Sequence, residues 1–118
     1  MLVTMFGIPN CSTVKKARDW LDQNQISYEF HDFKKQGISE EMIHEWLKHV
    51  SLDELINRSG MTYRKLSDEQ KSQSNDLPKA IELMINQPSI VKRPILAIQQ
   101  QLLLGFKETQ YQLLLKNK

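Results

Sequence analysis

Leu2-Val3-Thr4-Met5-Phe6-Gly7-Ile8-Pro9-Asn10-Cys11-Ser12-Thr13-Val14-Lys15-Lys16-Ala17-Arg18-Asp19-Trp20-Leu21 carries, in one short stretch, a strand, a break, a thiol and the opening of a helix. Leu2 to Phe6 is nearly all apolar, as a short strand buried on both faces of a sheet is. Gly7 and Pro9 break it. From Ser12 to about Asn24 the apolar residues Val14, Ala17, Trp20 and Leu21 recur at helical spacing with Lys, Arg and Asp between them, which predicts an amphipathic helix covering a sheet. Cys11 therefore falls at a helix N-terminus.

Outward from this stretch, Ile26, Tyr28 and Phe30 alternate with polar residues and predict a second strand over Ile26 to Phe30. Strand, helix and strand in close order make a parallel βαβ unit. A polar loop ends at Gly37, and Ser39 to about His49 places Met42, Ile43, Trp46, Leu47 and Val50 on one helical face. Ser51-Leu52-Asp53-Glu54 and Ser67-Asp68-Glu69-Gln70 both fit the capping box, in which two side chains satisfy each other's orphan backbone donors. Asp76-Leu77-Pro78 opens another helix, with Leu77, Ile81, Met84 and Ile85 as its stripe and Pro88 as its stop. Residues from about 38 to 87 thus form a helical block. Pro94 to Ile98 and Leu102 to Phe106, parted by Gln99-Gln100-Gln101, predict a hairpin, and Lys107 to Lys116 closes the chain as a helix carrying Tyr111, Leu114 and Leu115. The order is βαβ, helical block, ββα: an α/β fold with a four-stranded mixed sheet.

With 118 residues and 40% hydrophobic content, the chain is long enough for one core and too short for two, so residues 1–118 are expected to form a single domain. Sixteen Lys and Arg stand against 14 Asp and Glu. No basic stripe interleaved with aromatics argues for direct nucleic-acid binding. The amino terminus lacks a basic region and a long apolar run, so neither a signal peptide nor a membrane span is expected, and one unpaired thiol fits a reducing, cytoplasmic setting. His31, His44 and His49 show no metal-ligand spacing, and with one cysteine no zinc set is expected.

The chemistry centres on Cys11. Unpaired amides and the positive dipole end at a helix N-terminus favour an anion, so this thiol is expected to ionise more readily than a free cysteine near pKa ~8.5, with Lys15 and Lys16 acting the same way. The polar turn Asn10-Cys11-Ser12-Thr13 suits a reactive thiolate better than an inert buried one. A lone thiolate can attack a disulfide, an oxidised thiol or an oxyanion, but no internal partner expels the adduct, so an outside thiol must finish the cycle.

Four segments, in order and in register, carry a family likeness: Gly7-Ile8-Pro9-Asn10-Cys11-Ser12-Thr13-Val14-Lys15-Lys16-Ala17-Arg18-Asp19-Trp20-Leu21, Asn57-Arg58-Ser59-Gly60, Lys92-Arg93-Pro94-Ile95-Leu96 and Leu104-Gly105-Phe106. Together they resemble the ArsC/Spx family, most closely its YffB-like branch. The resemblance implies a thioredoxin-like fold with the helical insertion at about 38–87. It also implies a glutathione-dependent thiol oxidoreductase of arsenate-reductase type, with Cys11 as nucleophile, no bound cofactor and glutathione as co-substrate. By the same resemblance Asn10, Ser12, Thr13, Lys15, Arg58, Arg93 and Pro94 surround the substrate, with Asn57 competing with Arg58 for one arginine position and Arg93-Pro94 a cis bond facing Cys11. Read without it, Pro94 is a strand-initiating residue.

Two departures bear on the substrate. Family arsenate reductases carry arginines where this chain has Lys15 and Phe106. A lysine lacks the bidentate fork and a phenylalanine lacks charge, so a tetrahedral dianion is held less well, which speaks against arsenate. Glutathione and a glutaredoxin are the expected partners of a monomer. The competing expectation is an Spx-like, non-enzymatic adaptor that binds RNA polymerase or another protein. Cys11-Ser12-Thr13-Val14 has no second cysteine, so the Cys-x-x-Cys switch of many Spx-type proteins cannot form.

Overall fold

In the computed structural model, which describes residues 2–116, the first apolar run forms β1 (Val3–Gly7) and the periodic stretch after it forms α1 (Ser12–Gln23). β2 (Glu29–Asp32) lies parallel to β1, with Met5 opposite Phe30 and Gly7 opposite Asp32. β3 (Ile95–Ile98) runs antiparallel to β1 on its other side, and β4 (Gln101–Leu104) antiparallel to β3. The sheet order among the described residues is β2-β1-β3-β4, mixed as expected. α8 (Glu108–Leu115) ends the described chain.

These elements belong to the first of two compact units, made of the chain up to Asp32 and from Arg93 onward. Val3 and Met5 of β1 lie opposite Ile98 and Leu96 of β3, so period-two alternation puts all four on one face. Val14, Ala17, Trp20 and Leu21 of α1 and Tyr111 and Leu115 of α8 close over that face as one buried cluster. Trp20 and Phe106 each meet Tyr111 edge-on, at ring separations of 5.6 and 4.8 Å. Such pairs contribute about 0.5–1.5 kcal/mol beyond the area they bury.

Boundaries differ where a partner strand or a single turn decides them. Ile26, Tyr28 and Phe30 do pack on the cluster, but the ladder begins only at Glu29. The helix exit occupies the residues before it: Gln25 takes a φ of 57° and the Ile26 amide donates to the Leu21 carbonyl. The hairpin turns on Gln99-Gln100, with Gln99 at a φ of 53°, so β4 starts at Gln101 and stops at Leu104. Gly105 follows at a φ of 74°, where glycine carries no steric penalty, and its amide donates to the Pro94 carbonyl. Phe106 thus lies beyond the strand.

The second unit, Phe33–Lys92, is helical. It comprises α2 (Phe33–Gln36), α3 (Glu40–Trp46), α4 (Leu52–Leu55), α5 (Met61–Arg64), α6 (Asp68–Gln73), α7 (Leu77–Asn86) and a 3-10 turn, Pro88–Ile90. The helical block expected at about 38–87 lies inside it. Both capping boxes form, Ser51 with Glu54 and Ser67 with Gln70, and Asp76 caps α7 through the Lys79 amide. α2 occupies the stretch read as loop: one turn after buried Phe33 is too short to show a period, and Gly37 closes it at a φ of 71°. α3 stops at Trp46, and the amides of Lys48 and His49 bond three residues back as the helix tightens into turns. On α7 the buried residues are Ala80, Ile81, Leu83 and Met84, whereas Leu77 and Ile85 are exposed. Ile56 and Val91 form an isolated antiparallel bridge.

Among the described residues, no helix is long and apolar enough to cross a membrane, and no group of three His, Cys, Asp or Glu could hold a metal ion.

Tyr111 is fully buried, and its hydroxyl finds no hydrogen-bond partner among the described residues. Burial pushes its ionisation far above the ordinary tyrosine range. Removing a buried, unpaired hydroxyl relieves a desolvation penalty, so Tyr111→Phe is expected to leave stability unchanged or raise it by about 1 kcal/mol, read as the urea midpoint. A pKa raised by folding gives stability that is present below the unfolded value and lost as pH rises past it. The wild type should therefore weaken above about pH 10 in a way the phenylalanine variant does not.

Candidate functional site

Pro9 and Asn10 carry the chain out of β1 on the surface, and Cys11 caps α1 with extended backbone, φ −139° and ψ 125°. Its carbonyl accepts from the Lys15 amide at 2.9 Å, the first bond of the helix. The orphan amides of the first turn therefore open onto the cap position that Cys11 occupies. Cys11 is a free thiol, partly exposed, with its apolar side resting on the core cluster.

Burial alone would push the Cys11 thiol up, and this is the largest single influence on it. It is outweighed by four that favour the anion: the Val14 amide, the hydrogen bond from the Arg93 side chain, the Thr13 amide and the Arg93 charge. The net result is a pKa below the ordinary cysteine value. The neutral thiol makes no capping hydrogen bond of ordinary geometry. A sulfur accepts weakly until it ionises, so the amides act chiefly on the thiolate.

Arg93 enters through the loop before β3, where Arg93-Pro94 is a cis peptide bond, as the family likeness implied. Pro94 is buried and its carbonyl is held by the Gly105 amide. Thr13 is half-buried beside the sulfur, while Asn10, Ser12 and Lys15 are exposed. The positive charge acting on Cys11 is that of Arg93 rather than the lysines of the first turn. Phe106 rests edge-on against Tyr111 and packs on the same cluster as Cys11.

Arg58 belongs to the helical unit, and its donors are taken there. Nη1 donates to the Tyr63 hydroxyl at 2.9 Å and to Ser74 Oγ at 2.8 Å, and Nη2 donates to Asp53 at 2.9 Å. The guanidinium also lies 5.5 Å from the Tyr63 ring centroid. These bonds tie α4, α5 and the end of α6 together. Asn57 donates its amide to the Ile90 carbonyl and accepts from Ser59 Oγ.

Arg93 is the charge that favours the Cys11 thiolate. Arg93→Met keeps bulk and removes the guanidinium, so the thiol pKa should rise and the thiolate fraction near neutral pH should fall by roughly 3- to 10-fold. Arg93→Lys should recover only part of the loss, because an ammonium lacks the planar fork. Iodoacetamide alkylation rates against pH measure both. An unchanged profile in Arg93→Met would remove Arg93 from the site.

The arrangement matches known proteins along its length. The chain fits the model of the ArsC family over residues 6–114. It is 44% identical to the YffB protein, whose solved structure superposes with a TM-score of 0.85 over 92% of this chain and 95% of that one. It is 48% identical to an arsenate reductase (ArsC) related protein of Brucella melitensis, with a TM-score of 0.75 over 98% and 96%. The global transcriptional regulator Spx of Listeria innocua is 29% identical over 111 residues, 92% of this chain and 83% of that one. With a thiol at the first helix tip, a cis-proline loop beside it and a β2-β1-β3-β4 mixed sheet beneath, the chain has a thioredoxin-like fold and belongs to the ArsC family.

Proposed function

We propose that the protein is a glutathione-dependent thiol oxidoreductase in which Cys11 is the nucleophile and Arg93 holds it as a thiolate. The observation that carries this reading is the sulfur itself, partly exposed and favoured as an anion by two backbone amides and a guanidinium. In the first step the Cys11 thiolate attacks the glutathione sulfur of a mixed disulfide. The old S–S bond breaks, Cys11 becomes glutathionylated and the substrate leaves as a thiolate that takes a proton from water. In the second step a glutathione thiolate attacks the adduct, releasing oxidised glutathione and restoring the Cys11 thiolate. Each turn consumes one mixed disulfide and one glutathione and releases the substrate thiol and one oxidised glutathione, half of which came from the mixed disulfide. No second cysteine is needed.

Site charge favours a sulfur substrate over arsenate. One guanidinium favours the sulfur as an anion, and an aromatic residue, Phe106, packs on the same cluster as Cys11, a setting suited to a singly charged or neutral leaving group. A dianion calls for more fixed positive charge. Side-by-side turnover of arsenate and of a glutathione mixed disulfide, with glutathione supplied and the Cys11→Ser protein subtracted as blank, tests this. Turnover of the disulfide with little of arsenate is the expected result; arsenate turning over as well as the disulfide would overturn the preference. The likeness to Spx favours a second reading, an adaptor that binds RNA polymerase, for which a pull-down with polymerase subunits is the direct test.

A further inference from the structure

Glycine at position 7 is not there for its backbone. Among the described glycines the left-handed φ values belong to Gly37 and Gly105, while Gly7 is an ordinary strand residue paired with Asp32 in the β1–β2 ladder. Alternation along β1 puts Val3, Met5 and Gly7 on the buried face, the one α1 covers. A side chain at position 7 would thus project toward the first turn of that helix. A Cβ there would stand 3.0 Å from Val14 Cγ2, 3.5 Å from Val14 Cγ1 and 3.9 Å from Phe30 Cε1.

Val14 cannot easily give way. It is fully buried, and a β-branched residue in a helix has essentially one χ1 rotamer. The strand side is equally fixed by its ladder. An added methyl must therefore be absorbed by the first turn of α1, and that turn, capped by Cys11, carries the Thr13 and Val14 amides that favour the Cys11 anion.

We propose that Gly7 is a positioning residue for Cys11: its missing side chain is the space into which Val14 seats, and that seating fixes how closely the first turn of α1 brings its amides to the sulfur. Position 7 works through Val14, the side chain nearest a Cβ placed there. The inference rests on the reading of Cys11 as a reactive thiolate and adds the device that sets it.

The test reads ionisation directly, without any substrate, so it stands apart from the choice of substrate. Thiolate absorbance near 240 nm is titrated for the wild type, Gly7→Ala, Val14→Ala and the double variant, with Cys11→Ser subtracted as blank. Gly7→Ala should hold on the order of threefold less thiolate at a fixed pH below the transition. Shortening Val14 makes room for the new methyl, so the double variant should titrate as Val14→Ala does. A folded Gly7→Ala protein with the wild-type titration overturns the proposal, as does a double variant shifted from Val14→Ala as far as Gly7→Ala is from wild type. If Gly7→Ala does not fold, a folded double variant titrating as Val14→Ala supports the Val14 contact, and an unfolded one overturns it. A wild-type thiol titrating like free cysteine sinks the reading of the site, and the inference falls with it.

Discussion

Cys11→Ser is expected to abolish glutathionylation and to lower disulfide turnover by about 10³-fold or more, since no other residue supplies a sulfur nucleophile. Serine keeps the cap geometry and loses the easily ionised atom, so the fold should stay intact while the chemistry stops. Mass spectrometry after incubation with oxidised glutathione is the readout. The wild type should gain one glutathionyl group and the variant none. The pH profile gives a second check. Because folding lowers the thiol pKa, the alkylation rate of the wild type should climb and level off at a lower pH than a free cysteine, which levels only above about 8.5. A wild-type rate still rising steeply beyond that point would contradict the electrostatics of the site. The same variant separates the two functional readings, because an adaptor keeps its partner without the thiol and a reductase loses its activity.

The sequence disclosed what repeats or what has a local chemical signature. α1 and α7 are long enough to show a period, and the serine capping boxes are complete within four residues each, so these could be placed without tertiary information. Strand ends were less legible because a ladder starts where its partner starts. The alternation of Ile26, Tyr28 and Phe30 is visible in the sequence, yet pairing waits for Glu29 opposite Thr4. Single-turn helices such as α2 and α5 have no period to find.

At the site, Cys11 could be located from its boundary position alone, whereas Arg93 came only through family resemblance, its contact with Cys11 spanning more than eighty residues of chain. Arg58 was placed beside the substrate by the same resemblance. Its bonds to Asp53, Tyr63 and Ser74 depend on how three short helices pack, and nothing in the local sequence announces them. Gly7 read simply as a strand breaker, because a strand's end and a helix's need for room look alike in sequence.

Leu96→Ala should damage the core severely, costing about 2–5 kcal/mol of the roughly 5–15 kcal/mol typical of a domain. Leu96 is fully buried in β3, opposite Met5 of β1 on one side and Leu103 of β4 on the other, and it packs within the cluster that α1 and α8 cover. A cavity there has walls on several elements, none free to collapse into it. Leu113→Ala is the control, since Leu113 lies on α8 with 68% of its surface exposed and its loss should change stability by no more than about 0.5 kcal/mol. Urea midpoints at unchanged slope compare the two. Equal effects would mean that β3 is not the centre of this unit's core. Because Leu96 follows Pro94 by only two residues, a local distortion would also displace Arg93 from Cys11. If the cost is instead a cooperative loss of stability, the molecules that stay folded should keep the lowered thiol pKa, and the titration of Leu96→Ala in buffer decides between the two.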